Sequence, residues 1–265
     1  MKTPLCLLAA LPLVCFCRPG IPENMTWLEE YQLNCGVSSV KVTGNTVEEN
    51  YLLSFDTYGF PVTKMMFNAD GDFQRQELYE FDDSSRLARI DFCETLDAMS
   101  SWTEMIYEGG FEVEEVHYGN SGEDLLRVLK ENDGKHIVHS RFFREGTFEY
   151  ETYHEYNDSG LVETMLDSEG RLEGVAVVGF FAPGRISSIK TDELSLRVEY
   201  DTLTGLPIRC RGAQVDSRGV VLWSEDGESS ERSYEYEFDR FGNWTTRREF
   251  SADTLVATIR RKIVY

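Results

Sequence analysis

The stretch Ser233-Tyr234-Glu235-Tyr236-Glu237-Phe238-Asp239-Arg240-Phe241-Gly242-Asn243-Trp244-Thr245-Thr246-Arg247-Arg248-Glu249-Phe250 decides the fold. Its first part alternates strictly, with Tyr234, Tyr236 and Phe238 on one side, which is the period of a β-strand. Asp at the first corner of a turn accepts a backbone N–H two residues on, and Gly at the last corner takes φ > 0 at no steric cost. A type I turn followed by a left-handed Gly closes a short β-hairpin with a bulge. Trp244–Phe250 then reads as the return strand.

Working outward, the same unit recurs along the chain. It stands at Phe55-Asp56-Thr57-Tyr58-Gly59 and Phe67-Asn68-Ala69-Asp70-Gly71, and, with Ser in the Gly place, at Phe81–Ser85. Further copies are Tyr156-Asn157-Asp158-Ser159-Gly160, Leu166-Asp167-Ser168-Glu169-Gly170 and Val215-Asp216-Ser217-Arg218-Gly219, and Tyr200-Asp201-Thr202-Leu203-Thr204-Gly205 carries one inserted residue. Looser versions sit at Tyr118–Gly122 and Phe181–Gly184. Starts near residues 55, 67 and 81 leave room for a strand, a turn and a strand, and not for a helical repeat. The expected fold class is therefore all-β: sequential antiparallel hairpins forming an extended, curling, open sheet. One hairpin cannot bury its aromatic face alone, whereas stacked neighbours can. Two stretches dissent. Pro22–Asn34 has the apolar spacing of a short helix. Gly122–Asn132 also fits a helix face but reads better as a strand, because Asn132-Asp133-Gly134 is a turn signal and His136–Phe143 returns as β. The pattern is weakest over 93–117, where two half-sheets would divide.

The chain resembles the YD-repeat (RHS-like) family of bacterial secreted and surface proteins. Tyr236–Thr245 follows that family's pattern of Tyr-x-Tyr-Asp-x-x-Gly-Asn-hydrophobic-Thr, with looser copies at Tyr156–Val162 and Tyr200–Ile208. The resemblance implies repeated hairpins in a long curling sheet; large members wrap a shell around a C-terminal toxin domain. This chain reads as too short for a closed shell, and Leu255–Tyr265 reads as one more strand rather than a toxin. The resemblance carries over no catalytic residues.

The address lies in residues 1–17, MKTPLCLLAALPLVCFC: one Lys near the start, then an apolar run, closed by Pro19, Gly20 and Pro22. That is the pattern of a secretory signal, too short to span a bilayer. Cys15 and Cys17 are candidate lipidation sites, although Val14 and Phe16 stand where small residues suit lipidation better. The expected organisation is a signal peptide over 1–17, an N-terminal segment over 18–45 and the hairpin-repeat domain over 46–265. Exported localisation follows: periplasmic, attached to the outer membrane, or extracellular, with no integral membrane span.

The net charge of −21 argues against nucleic acid, whose phosphates need clustered Lys and Arg. It reads most simply as a solvated face that keeps sheet edges from pairing. At 12 % aromatic and 41 % hydrophobic, the chain is not a disordered acidic tail. Outside the leader only Cys35, Cys93 and Cys210 remain, widely spaced, best read as small buried residues with at most one bridge.

Candidate chemistry is sparse. His136 and His139 lie three apart, on opposite faces of a strand, so they cannot share a metal. Asp70-Gly71-Asp72 and Asp167–Gly170 lack a full set of calcium-loop ligands. No G-x-S-x-G, Walker, G-x-G-x-x-G or H-E-x-x-H motif is present. No cofactor or metal is expected. Trp223 and Trp244, each just past a repeat turn, are the aromatics singled out as a stacking surface for a glycan or peptide. The turn residues singled out are Asp56, Gly59, Asn68, Gly71, Asn157, Gly160, Asp167, Gly170, Asp201, Gly205, Asp216, Gly219, Asp239 and Gly242. The function read from this is an exported, non-enzymatic binding or scaffold protein of the bacterial cell envelope, with an unknown protein or glycan partner. Alternatives are a secreted carbohydrate-active hydrolase using paired carboxylates, told by a cleft with two carboxyl groups about 5–10 Å apart, and an immunity-type protein whose acidic face meets a basic partner.

Overall fold

The structure, a computed structural model, describes residues 28, 31–34, 36–45, 49–95, 98–157, 160–182, 185–192, 195–216, 221–223 and 231–265. Twenty strands run in chain order: β1 (Ser39–Thr43), β2 (Tyr51–Phe55), β3 (Pro61–Phe67), β4 (Phe73–Phe81), β5 (Leu87–Thr95), β6 (Ala98–Glu108), β7 (Phe111–Gly119), β8 (Asp124–Asn132), β9 (Ile137–Arg144), β10 (Thr147–Asn157), β11 (Gly160–Asp167), β12 (Leu172–Ala182), β13 (Arg185–Lys190), β14 (Ser195–Tyr200), β15 (Pro207–Arg211), β16 (Ala213–Val215), β17 (Val221–Trp223), β18 (Glu231–Phe238), β19 (Trp244–Ser251) and β20 (Thr254–Val264). Most of Gly122–Asn132 is thus a strand, β8, and β5, β6 and β7 pair in sequence across the 93–117 stretch, with register shifts near Cys93 and Ile106, so no division into two half-sheets falls there.

The turn unit is built the same way five times. In the turns that begin at Asp56, Asn68, Asp82, Asp167 and Asp239, the side-chain Oδ1 accepts the backbone N–H groups two and four residues on, at 2.8–3.0 Å. The residue three on donates its N–H back to the first carbonyl. That residue takes φ between 63° and 89° in all five, including Ser85 in the degenerate copy. A bulge follows the turn, so the aromatic or apolar residue before it faces the one six residues on: Phe55↔Pro61, Phe67↔Phe73, Phe81↔Leu87, Leu166↔Leu172 and Phe238↔Trp244. The bulge shifts the face on which the return strand shows its side chains.

The sheet is closed. From β1 to β15 each strand pairs antiparallel with the next; β15 pairs with β18, β18 with β19, β19 with β20, and β20 with β1. The result is an 18-strand antiparallel β-barrel, and it overturns the open, curling sheet expected from the turns. The reason lies in β1. Ser39–Thr43, inside the segment set apart as 18–45, pairs with β20 on one side and β2 on the other. Neighbouring strands lie about 4.8 Å apart, so a ring needs many strands rather than long ones, and 5- to 11-residue strands suffice here. Closure also removes the free edges that the acidic charge was read as protecting.

One face of the barrel wall carries the core. Val40, Val42, Tyr51, Leu53, Met66, Trp244 and Ile259 join Leu28, Tyr31, Leu33 and Val37 in one buried cluster. Leu161, Val178, Ile189, Val198, Cys210, Val215 and Tyr234 form a second. Two pieces of chain outside the ring serve these clusters: the segment leading into β1, and the β16–β17 hairpin, which pairs only with itself.

Candidate functional site

Trp244 sits where these pieces meet. It is 1 % exposed. Its Nε1–H donates to Gln32 Oε1 at 3.0 Å, and the Arg261 guanidinium lies 3.6 Å from its ring centroid. Tyr236 packs against it edge-on. The ring and its N–H are thus engaged within the protein, so Trp244 is core and not the stacking surface proposed for it from sequence. Trp223 pairs through its backbone with Ala213; its side chain lies outside the described residues.

Beside Trp244 stand two buried arginines that the sequence reading missed. Arg247 Nη2 donates to Glu249 Oε1 at 2.5 Å and to the Val215 carbonyl at 2.8 Å, and Glu49 Oε1 lies 3.5 Å away. Arg247 Nη1 donates to the Asp216 carbonyl. Burial disfavours this charge, and the Glu249 carboxylate outweighs burial, so Arg247 stays protonated above its ordinary range. Arg261 is likewise buried, with Nη1 donating to the Gln32 carbonyl at 3.4 Å; burial brings its pKa down to about 10. These two cations tie the Gln32 region, the end of β16 at Val215–Asp216 and strands β19–β20 into one node. Strict alternation from Trp244 puts residues 246 and 248 inside; the bulge puts Arg247 and Glu249 there instead. A signal was present in Asp-x-x-Gly itself, since that turn brings the bulge with it.

The same face continues around β4 to β11 as a polar wall of compensated groups. Arg75 and Tyr79 both donate to Glu77, at 2.9 and 2.6 Å. Lys130 holds Glu115 at 3.0 Å and also Glu112. His154 faces Glu163 at 3.1 Å, with Thr152 Oγ1 at 3.1 Å. The three buried carboxylates among the described residues, Glu77, Glu163 and Glu249, therefore each have a cationic or imidazole partner. Such pairing holds a wall in shape; it is not an arrangement of one free acid and one free base. Among the described residues no group of three or more His, Cys, Asp or Glu is placed to hold a metal. His136 stacks on Tyr156 and His139 on Tyr153, so the two are separate.

The turn residues lie at the barrel's two ends. The five turns above hold Asp56, Gly59, Asn68, Gly71, Asp167, Gly170, Asp239 and Gly242. Asp201 Oδ1 accepts from the N–H groups of Leu203 and Thr204, and Gly205 has φ 64°. Asn157 pairs directly with Gly160. Asp216 gives its carbonyl to Arg247, whereas Gly219, Cys15, Cys17, Cys35 and the 1–17 leader lie outside the described residues. Cys93 and Cys210 are free and buried.

No family model matches the chain, and no curated protein matches it. Among solved structures it is similar to a porin-like protein from Bacteroides uniformis, at 10 % identity over 86 % of this chain and 96 % of that one, with TM-score 0.43. It is also similar to the Photorhabdus luminescens Tc holotoxin pore, at 10 % identity over 78 % of this chain and 16 % of that one, with TM-score 0.28. Likeness at this level carries no functional argument. Among the described residues no helix is long and apolar enough to cross a membrane, which leaves the strands to be judged by their own faces.

Proposed function

We propose that this is an exported, non-enzymatic binding or scaffold protein of the bacterial envelope, whose barrel stands in water rather than crossing a bilayer. The observation that carries this reading is charge on both faces of the wall. A lipid-facing band is an apolar belt, and each Arg or Lys at its midplane costs about 2–4 kcal/mol. On the face opposite the core, Arg89, Arg127, Arg141, Arg197 and Arg248 stand within their strands, many of them paired with carboxylates: Arg89 with Asp91 and Glu104, Arg127 with Asp124 and Glu114. The core face carries Lys64, Glu77, His154, Glu163 and Arg247. Neither face supplies an apolar belt around the ring.

The shared geometry of the five turns supports membership in a YD-type repeat class, in which Asp and Gly are structural. The pairing of every buried carboxylate described above supports a non-enzymatic role. The leader over 1–17 supports export, with Cys15 or Cys17 as the site of a lipid if one is attached. The test is fractionation of the full chain, with its own leader, from a bacterium with two membranes. The expected result is export, and a barrel that leaves the membrane fraction at alkaline pH or after enzymatic removal of an acyl anchor. A chain that stays in the cytoplasm, or one integrated in the bilayer after such treatment, overturns the reading.

A further inference from the structure

The two ends of the barrel are not alike. Because neighbouring strands are antiparallel, the β2–β3, β14–β15 and β18–β19 turns lie at one end, together with the end of β20 and the start of β1. The tips of these three turns are Thr57-Tyr58, Thr202-Leu203 and Arg240-Phe241, with the Arg240 guanidinium over the Phe241 ring. Tyr58 is 86 % exposed and Leu203 94 %. Phe241 packs on Tyr265 with ring centroids 4.4 Å apart, and both remain about half exposed. The three turns belong to eight strands that are consecutive around the ring, a span of about 30–40 Å at the usual strand spacing. At other described turns the tips are polar or small: Asp83-Ser84 and Gly134-Lys135 at the same end, and Ala69-Asp70, Ser168-Glu169 and Ala252-Asp253 at the other. The turn itself asks nothing apolar of these positions, since its hydrogen bonds are made by Asp and the backbone. Among the described turns, the exposed apolar residues at tip positions thus lie at one end and in one sector; at the other end Leu172 and Leu255, just inside their strands, are 63 % and 51 % exposed.

That sector is also where the chain enters the barrel. The Leu28 side chain lies against Gly59, and Asn34 Nδ2 donates to the Phe241 carbonyl at 2.7 Å while its backbone N–H donates to Asn243 Oδ1 at 2.6 Å. Residues ahead of Leu28 therefore depart from beside these tips. The sequence there holds the apolar run 4–16 and, 11 residues before Leu28, Cys17. A chain of that length reaches at most about 36–40 Å. Anything that fixes the leader or an acyl group on Cys15 or Cys17 in a bilayer tethers the barrel from this end, so this end lies nearer the lipid surface than the other.

We propose that the sector bearing Tyr58, Leu203 and Phe241 rests on a lipid surface, with its tips at the headgroup level and the barrel axis pointing away from the bilayer. Tyr and Phe are suited to that boundary, being apolar bodies with, for Tyr, a polar end. With a net charge of −21, the surface that suits this chain is zwitterionic rather than anionic. The inference deepens the reading of an exported barrel that stands in water, and rests on it.

The test places a polarity-sensitive fluorophore on a single cysteine, at Thr202 beside the Leu203 tip or at Ser168 at the far end, in the exported protein with Cys35, Cys93 and Cys210 replaced by Ala. With phosphatidylcholine vesicles, the expected result is a blue shift at position 202 and none at 168. The shift is lost when Tyr58, Leu203 and Phe241 are changed together to Ser, whether or not an acyl anchor still holds the protein to the vesicle. No shift at 202, or equal shifts at both positions, overturns the proposal. A shift at 202 that grows with protein concentration without vesicles also overturns it, in favour of a second copy of the chain on this rim. Vesicle insertion that resists alkaline extraction and is indifferent to the three tips sinks the standing-in-water reading itself.

Discussion

Closure of the ring at the β1–β20 seam is open to a direct covalent test. Lys41 and Lys262 are partners across that seam, and both are exposed. Replacing each by Cys, in a chain whose other cysteines are Ala, places two thiols on adjacent strands, within the usual 4.4–6.8 Å Cα range of a disulfide. Their bond encloses residues 41–262, 222 residues in all. In the chain-entropy account, a loop of that length stabilises the folded state by about 5 kcal/mol, which is a ceiling because strain at the bridge subtracts from it. The assay is oxidation of dilute protein, followed by non-reducing electrophoresis and by denaturant unfolding with and without reductant. The expected result is one intramolecular bridge, faster migration of the unfolded chain and a higher unfolding midpoint that reductant abolishes. A control pair, Lys41→Cys with Glu155→Cys on β10, joins strands that are not neighbours and forms no such bridge. If Lys41 and Lys262 fail to cross-link within one chain, or link only between chains, the sheet is open and the reasoning from β1 is wrong.

Trp244→Ala removes the largest fully buried side chain among the described residues and the ring beneath Arg261; a loss of about 3–5 kcal/mol in unfolding free energy is expected, and a loss below about 1 kcal/mol, measured by denaturant titration, would place that indole at the surface. Burial pushes the Cys210 thiol up to about 12 and raises Cys93 as well; an aromatic disulfide reagent at pH 8 should leave both untouched until the protein is unfolded, and rapid native-state labelling of Cys210 contradicts the second core cluster. The turn carboxylates Asp82, Asp167 and Asp201 are held below the ordinary aspartate value of 3.8, the first chiefly by the Arg86 guanidinium and the others chiefly by the backbone N–H groups of Arg171 and Thr204. Since the folded values are the lower ones, their contribution is present above 3.8 and is lost as pH falls through them. Asp167→Asn keeps the accepting oxygen, as Asn68 does in its own turn, so this variant should flatten the decline of the urea midpoint below pH 4; an unchanged slope counts against the turn as its source.

What could be read from residues and what could not follows the range of the interactions. The turn that begins at Asp239 is complete within five residues, because Oδ1, two N–H groups and one left-handed Gly make it; its strands follow from alternation on either side. Closure has no such local mark. Val40 and Val42 look like any short strand, and only pairing with Ile263 and Arg261, more than 200 residues away, makes them the seam. Trp244 was misplaced for an intermediate reason. Its position just past a turn was legible, but the segment around Gln32 that covers it comes from the other end of the chain. The same segment explains the asymmetry of the rim: where it enters, Leu28 and Asn34 occupy the inner sides of the β2–β3 and β18–β19 turns, against Gly59 and Gly242. With those inner sides filled, Tyr58 and Phe241 have nowhere inward to turn. Tyr58 and Leu203 stay almost fully exposed at such tips, and Phe241 is only half covered by Tyr265, so a surface that would cover them lies outside the barrel.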